Sequence, residues 1–278
     1  MRTIRTIDEV QAALAGSGSI GLVPTMGALH DGHLSLFRAA RAENGTVVAS
    51  LFVNPAQFDD EADLGAYPRD EARDAELAAK AGVDLLFAPS LEEMYPADFR
   101  TWVEVEEVSA GLEGDARPGH FRAVATVCLK LFNIVRPARA YFGLKDAQQA
   151  AVIRRLVRDL NLPLAIRVLP TVRDVDGLAL SSRNTRLSAE ERARALALPR
   201  ALARGAETYR LGGDAVAAAR AELNGLTADY VELLDLDGAL VLAGAARVGS
   251  IRLIDNVLLD LPSQASAWLG PTTKGELR

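Results

Sequence analysis

The sequence predicts an α/β chain, with a doubly wound parallel sheet over residues 1–171 and a second, smaller α+β domain over 172–278. Near-continuous apolar runs such as SIGLVPT and TVVASLFVN alternate with amphipathic segments, the pattern of strands covered on both faces by crossover helices. The length, 278 residues, exceeds the usual size of a single domain. After Val172 the character changes to Ala/Arg/Glu-rich helical sequence followed by apolar strands within 229–260.

In chain order, Thr6 and Glu9 form a capping box that opens a short helix through about Ala15, and SIGLVPT is a strand ending at Pro24. The segment TMGALHDGH carries two glycines and an aspartate and reads as a loop. HLSLFRAARAEN repeats its apolar residues at helical spacing, so a helix begins near His33, and TVVASLFVN is the next strand. A helix over 70–81, the strand VDLLFAP, a polar excursion through 90–120 and the helix AVATVCLKLFNIV follow. The strand RAYFG, a helix over 146–160 and the strand LAIRVLP then bring the first domain to roughly five or six strand–helix units. The loop DGLALSSRN leads to a long helix capped by Ser188 with Glu191, a second helix near 214–224 and the apolar strands of 229–260. The tail SQASAWLGPTTKGELR reads as loosely ordered, and no internal repeat is present.

Composition narrows the function classes. The chain is 49% hydrophobic and 24% charged, ordinary for a folded globular protein. Its net charge of −6 and pI of about 5.3 lack the basic excess that accompanies binding to nucleic acid or anionic membranes. An anionic ligand therefore needs a local cationic pocket. Cys128, the single cysteine, lies in the apolar run ATVCLKLFNIV and reads as core, which excludes an intrachain disulfide and fits a reducing compartment. The N-terminal segment lacks the apolar stretch of a signal peptide, and no run approaches the roughly 18 apolar residues of a membrane span. A cytoplasmic location is the simplest expectation. Histidine and lysine are scarce: His30, His33 and His120 are the only histidines, and Lys80, Lys130, Lys145 and Lys274 the only lysines.

Two of the histidines sit together in HDGH, where a parallel strand gives way to a helix N-terminus. Backbone N–H groups and the positive end of the helix dipole attract anions there, imidazoles add hydrogen bonds, and Gly27 and Gly32 allow close backbone approach. A zinc site needs three or four ligands; His120 is the only further histidine, and no cysteine lies near. No GxxxxGK[ST] phosphate loop occurs, and no glycine fingerprint for dinucleotides follows a strand.

Two more segments carry suitable chemistry. Gly143, Leu144, Lys145 and Asp146 place a lysine and an acid at a strand-to-helix junction, and Leu180, Ser181, Ser182 and Arg183 offer two hydroxyls and a guanidinium, though each also reads as an ordinary turn. Asn54 and Gln57 after the second apolar strand, and Gln148 and Gln149, are neutral amides suited to hydroxyls and carboxylates. The acidic stretches Asp59–Asp63 and Asp70–Asp74 read either as solvated faces or as help for a magnesium ion.

The ordered set PTMGALHDGH, FVNPAQF, YPRD, RPGHF, GLKDAQQ, DGLALSSRN and RLIDN resembles the pantoate–β-alanine ligases over about residues 3–260, and HDGH resembles the HIGH signature of nucleotidyltransferases. The resemblance implies a Rossmann-like first domain and ATP-dependent condensation of (R)-pantoate with β-alanine through pantoyl adenylate, with magnesium, in a homodimer. It implies an ATP loop of Met26, Gly27, Ala28, Leu29, His30, Asp31, Gly32 and His33, in which His30 and His33 stabilise the transferring phosphate and His33 is the proton donor. Gly143 to Asp146 are the implied second ATP segment, with Lys145 on phosphate and Asp146 on ribose, and Val172 lies at the adenine. Leu180 to Arg183 close over the phosphates; Gln57 and Gln149 bind pantoate, Gln57 also lies near β-alanine, and Asp74 is a candidate magnesium ligand. Two departures stand out: Leu144 replaces the usual glutamate, and Ala147 the usual aromatic residue. Other adenylyltransferases of the HIGH type would lack the glutamine pair, a tRNA synthetase would add a KMSKS-like loop, and a nucleotide-binding regulator without turnover is the alternative that the departures raise.

Overall fold

The computed structural model describes residues 1–59, 61–223, 225–236 and 238–260, so the tail read as loosely ordered lies outside the described residues. The contacts divide the chain into two units. Met1–Phe142 and Gln149–Leu169 form the first; the second comprises Gly143–Gln148 and, among the described residues, 170–260. The turn 143–148, expected within the first domain, thus groups with the second unit.

The elements follow as β1 (Arg2–Ile4), α1 (Ile7–Leu14), β2 (Ile20–Thr25), α2 (Asp31–Glu43), β3 (Thr46–Leu51), α3 (Glu61–Ala66), α4 (Glu71–Lys80) and β4 (Leu85–Phe87). Next come α5 (Leu91–Met94), α6 (Glu113–Ala116), α7 (His120–Val135), β5 (Arg139–Gly143), α8 (Ala147–Asp159) and β6 (Ala165–Leu169). The last are α9 (Ala189–Ala195), α10 (Ala197–Arg210), α11 (Ala215–Glu222), β7 (Thr227–Leu236), β8 (Ala239–Val248) and β9 (Ile251–Asp260).

The first unit is built on a six-stranded sheet of order β1-β4-β3-β2-β5-β6, parallel at the pairings β1/β4, β4/β3, β3/β2 and β2/β5. From β2 the chain steps outward through β3 and β4, and β5 and β6 then fill the other side, so the order reverses between β2 and β5. Open sheets of this kind bind ligands beyond the carboxyl ends of the strands at such a reversal. Val23, Val47 and Ala49 pack with Leu36, Phe37 and Ala40 of α2 and Ala78 of α4 in one buried cluster. The alternate residues Leu22 and Val48 point to the opposite face and are equally buried, with α7 packed against β2. Burial on both faces is why these strands read as continuous apolar runs.

Helix α7 is buried nearly all round and contains Cys128, whose thiol is pushed up to about 12 by burial. The second unit is an antiparallel meander β7-β8-β9 packed against α10. Leu198, Leu202, Val231, Leu242 and Leu253 lie in its core, while Val175 in the turn after β6 is fully exposed.

Several boundaries differ from expectation for identifiable reasons. β1 pairs as an edge strand with β4 although RTI is too short and too polar to announce itself. Thr6 and Glu9 make the expected capping box. The expected long helix after Ser188 is two, α9 and α10, because Pro199 lacks the N–H that would bond the Ala195 carbonyl across the junction. GSGSIG at 16–21 has the spacing of a dinucleotide fingerprint but runs into the amino end of β2, away from the carboxyl edge where that fingerprint works.

Candidate active site

The loop from β2 to α2 is braced from below. Thr25 is buried, donates to the Ser50 carbonyl at 2.7 Å, and accepts from the Gly27 N–H at 3.3 Å. Gly27 has φ +85°, and a Cβ there would stand 2.8 Å from Asp74 Oδ2, so glycine is needed for conformation and for space. Ala28 also takes a left-handed φ of 51°. Asp74, on α4 and 1% exposed, accepts from Ala28 N–H on Oδ2 and Leu29 N–H on Oδ1, both at 2.8 Å, and Leu29 is driven into the core.

The first helical residue is Asp31, two earlier than expected, because His30 is itself the cap. Its Nδ1 accepts from Gly32 N–H at 3.2 Å, and His33 Nδ1 accepts in return from His30 N–H at 3.3 Å, an imidazole version of the capping box. A Cβ on Gly32 would lie 2.9 Å from the His30 ring, so this packing also requires glycine. Since a backbone N–H can only donate, both Nδ1 atoms are acceptors, and in the neutral rings the proton sits on Nε2. The two rings lie 4.2 Å apart, each with an Nε2–H donor beside the helix N-terminus.

The stretch after β3 places the amides. Asn54 is fully buried and caps the 3-10 turn Pro55–Gln57 by accepting from Ala56 N–H at 3.3 Å. The carbonyl of Gln57 accepts from Arg117 Nη2 at 2.8 Å and meets His120 Nδ1 at 3.0 Å, while Arg117 Nη1 lies 3.2 Å from His120 Nε2. Guanidinium only donates, so Nε2 accepts, and Nδ1–H of a neutral His120 donates to Gln57. The sequence assigns no role to His120, which enters there only in the argument against a zinc site; in the fold it holds Gln57 in place. The signal was its place in RPGHF, whose arginine and histidine stand three residues apart across the turn that opens α7. Gln57 and Gln148 are buried, and Gln149 is half-buried in the first turn of α8.

The remaining predicted residues belong to the second unit. Lys145 Nζ lies 3.6 Å from Asp146 Oδ1 in a 3-10 turn, Leu144–Asp146, that runs into α8. Leu144 and Ala147, the two departures, are both buried, so the place of the usual glutamate is taken by an apolar side chain packed in the interior. Val172 O accepts from Leu180 N–H at 3.0 Å, closing a small hairpin bridged between Arg173 and Ala179. Its turn is tied to α9 by Arg192, which bonds Asp174 and Asp176. Ser181 accepts from Arg183 N–H at 3.3 Å and opens the 3-10 segment Ser182–Arg186. Met26 to His33, Gln57 and Asp74 are thus brought into one unit, and Gly143 to Asp146, Val172 and Leu180 to Arg183 into the other.

Asp74 was expected as a magnesium ligand, but both its oxygens are engaged by backbone N–H groups. Among the described residues no cluster of three or more His, Cys, Asp or Glu side chains is placed to hold a metal ion. The described side chains therefore do not form a protein cage for magnesium.

A parallel sheet that reverses between β2 and β5, with paired imidazole donors at a helix N-terminus after β2, defines a Rossmann-like α/β protein of the nucleotide-binding class. The family model of pantoate–β-alanine ligase matches residues 1–258. A pantothenate synthetase of Moorella thermoacetica is 53% identical over 278 aligned positions, covering 94% of this chain and 98% of the relative. A crystal structure of pantothenate synthetase from Thermus thermophilus is 48% identical, with a TM-score of 0.89 over 93% of this chain and 99% of that one. The ligase of Francisella tularensis, solved in complex with beta-gamma ATP and beta-alanine, is 35% identical with a TM-score of 0.79 over 94% of this chain and 99% of that one. The chain belongs to the pantoate–β-alanine ligase family.

Proposed function

We propose that the chain condenses (R)-pantoate with β-alanine, using ATP and releasing (R)-pantothenate, AMP and diphosphate. A pantoate carboxylate oxygen bonds to the α-phosphorus as the α,β-anhydride bond breaks and diphosphate leaves. The β-alanine amine then attacks the acyl carbon of pantoyl adenylate, the acyl–oxygen bond breaks, AMP departs with the electron pair, and the amine nitrogen loses a proton. Neither step needs a protein nucleophile, so positioning and charge stabilisation carry the catalysis. That is consistent with the one cysteine being buried and its thiol held protonated.

The observation that carries this reading is the imidazole pair whose Nδ1 atoms accept from the backbone, so that each neutral ring carries its proton on Nε2 at the N-terminus of α2. In this reading Met26 to His33 form the ATP loop, with His33 as proton donor. Lys145 and Arg183 offset charge on the transferring phosphoryl group, Asp146 binds the ribose and Val172 lines the adenine. Leu180, Ser181 and Ser182 close over the phosphates with Arg183. Gln57 and Gln149 hold pantoate, with Gln57 also toward β-alanine. The beta-gamma ATP and beta-alanine of the Francisella complex support this substrate set. Magnesium enters on the nucleotide phosphates, with no residue of the chain assigned as its ligand, and Asp74 supports the loop instead. The reading includes a homodimer and a cytoplasmic location; no helix among the described residues is long and apolar enough to cross a membrane. A coupled assay of AMP release tests it: release must depend on both pantoate and β-alanine, and AMP formation independent of either refutes it.

A further inference from the structure

The RLIDN motif at 252–256 has no part in the chemistry above, yet its last two residues are buried polar groups at 3% exposure each. Asn256 Nδ2 donates to two successive carbonyls, Leu144 O at 2.7 Å and Lys145 O at 2.9 Å. Beside it, Asp255 grips Arg173 as a fork, Nη1 to Oδ2 at 2.6 Å and Nη2 to Oδ1 at 3.0 Å. Arg173 Nη2 also donates to the Asn256 carbonyl at 3.2 Å, and Asp255 Oδ1 accepts from Asn256 N–H at 2.8 Å. One dipeptide at the end of the motif therefore joins the lysine turn to the hairpin that starts at Val172 and runs into Ser181–Arg183.

The geometry of the clamp sets the direction of the turn. In a planar trans peptide the C=O and N–H point opposite ways. Holding the carbonyls of Leu144 and Lys145 toward Asn256 turns the N–H groups of Lys145 and Asp146 to the other side, and fixes the Cα from which the Lys145 side chain departs. An amide NH2 is the neutral side-chain group that can donate twice from one atom, which is what two adjacent carbonyls demand. The Asn256 Oδ1 is buried with no hydrogen-bond partner, an unfavourable feature that the two donated bonds offset.

We infer that Asn256, supported by the Asp255–Arg173 fork, is a positioning residue for the nucleotide: it sets the Lys145 turn and couples it to the Val172–Arg183 hairpin. The inference rests on the proposed role of Lys145 at the ATP phosphates. Asn256→Asp keeps the shape but replaces both donors by an acceptor facing two carbonyls. It is expected to raise the KM for ATP about tenfold or more, the scale of a lost pair of buried hydrogen bonds, with the KM for pantoate held within about twofold. If that variant does not fold, Asn256→Ala serves in its place with the same expectation. In a double-mutant cycle, either substitution adds little once Lys145→Ala is present, because both act through the same group. A wild-type KM for ATP, equal rises for ATP and pantoate, or full additivity with Lys145→Ala overturns the inference. Lys145→Ala alone separates the two claims: unchanged adenylation by that variant removes the role of Lys145 itself, whereas impaired Lys145→Ala beside unaffected Asn256→Asp removes only the role of Asn256.

Discussion

Asp74 and Ala28 are joined by a 2.8 Å hydrogen bond from the Ala28 N–H to Oδ2, and the second oxygen of the same carboxylate takes the next N–H, that of Leu29. A helix well away in sequence thereby dictates the left-handed conformation of the loop that presents His30 and His33. Replacing Asp74 by alanine leaves the buried Leu29 N–H without an acceptor, a cost of about 1–3 kcal/mol, and the half-buried Ala28 N–H without one at a smaller cost. Asp74→Ala is expected to lower the melting temperature and to raise the KM for ATP, with Asp74→Asn intermediate because an amide oxygen keeps one acceptor. Titration with magnesium at saturating ATP separates this role from metal binding: a rise in the magnesium requirement alone would contradict it.

His33→Ala removes an Nε2–H donor and one half of the reciprocal cap. Pantoate-dependent ATP–diphosphate exchange is expected to fall by roughly a hundredfold or more, the range for a positioned acid–base group, while loss of the cap costs only about 1 kcal/mol of stability. Circular dichroism checks the fold, and exchange at the wild-type rate would remove His33 from the site.

Gln57→Ala is expected to raise the KM for pantoate more than that for ATP. His120→Phe, which removes the donor to the Gln57 carbonyl, is expected to shift pantoate in the same direction but less. Steady-state kinetics with each substrate varied in turn decides the point, and the opposite order would contradict the assignment.

Much of this was legible in the sequence, because strands buried on both faces are apolar throughout and caps such as Thr6 and Ser188 are local signals. What stayed hidden depends on partners distant in the chain. Asp74 looked like a solvated acid or a magnesium ligand until the fold placed the N–H groups of Ala28 and Leu29 on its two oxygens. Asn256 acts on carbonyls of residues 144 and 145, which have no side-chain signature. His30 was readable as a ligand-binding imidazole but not as a helix cap, since histidine rarely fills that place. The short β1 carries too few residues for a period to emerge.

Burial of Cys128 makes a prediction about alkaline stability. Its folded pKa is raised from 9.0 to about 12, so the native state keeps a proton that the unfolded chain loses. The stabilising contribution is fully present below pH 9 and is lost as pH rises toward 12, with a slope of about 1.4 kcal/mol per pH unit from this group. Tyr95, pushed up to about 12 mainly by burial, acts in the same direction. Denaturant midpoints measured between about pH 8.5 and about pH 10.5 are therefore expected to fall more steeply for the wild type than for Cys128→Val; identical slopes would show that the thiol does not contribute.

The same buried sulfur makes the molecule convenient for spectroscopy. With a single native cysteine sealed inside α7, a thiol introduced at fully exposed Val175 is the one site that a maleimide dye can reach in the folded chain. Val175 lies in the turn of the hairpin that leads into Ser181–Arg183. A fluorophore attached there reports the surroundings of that hairpin as nucleotide is added, without first engineering away any cysteine of the native sequence.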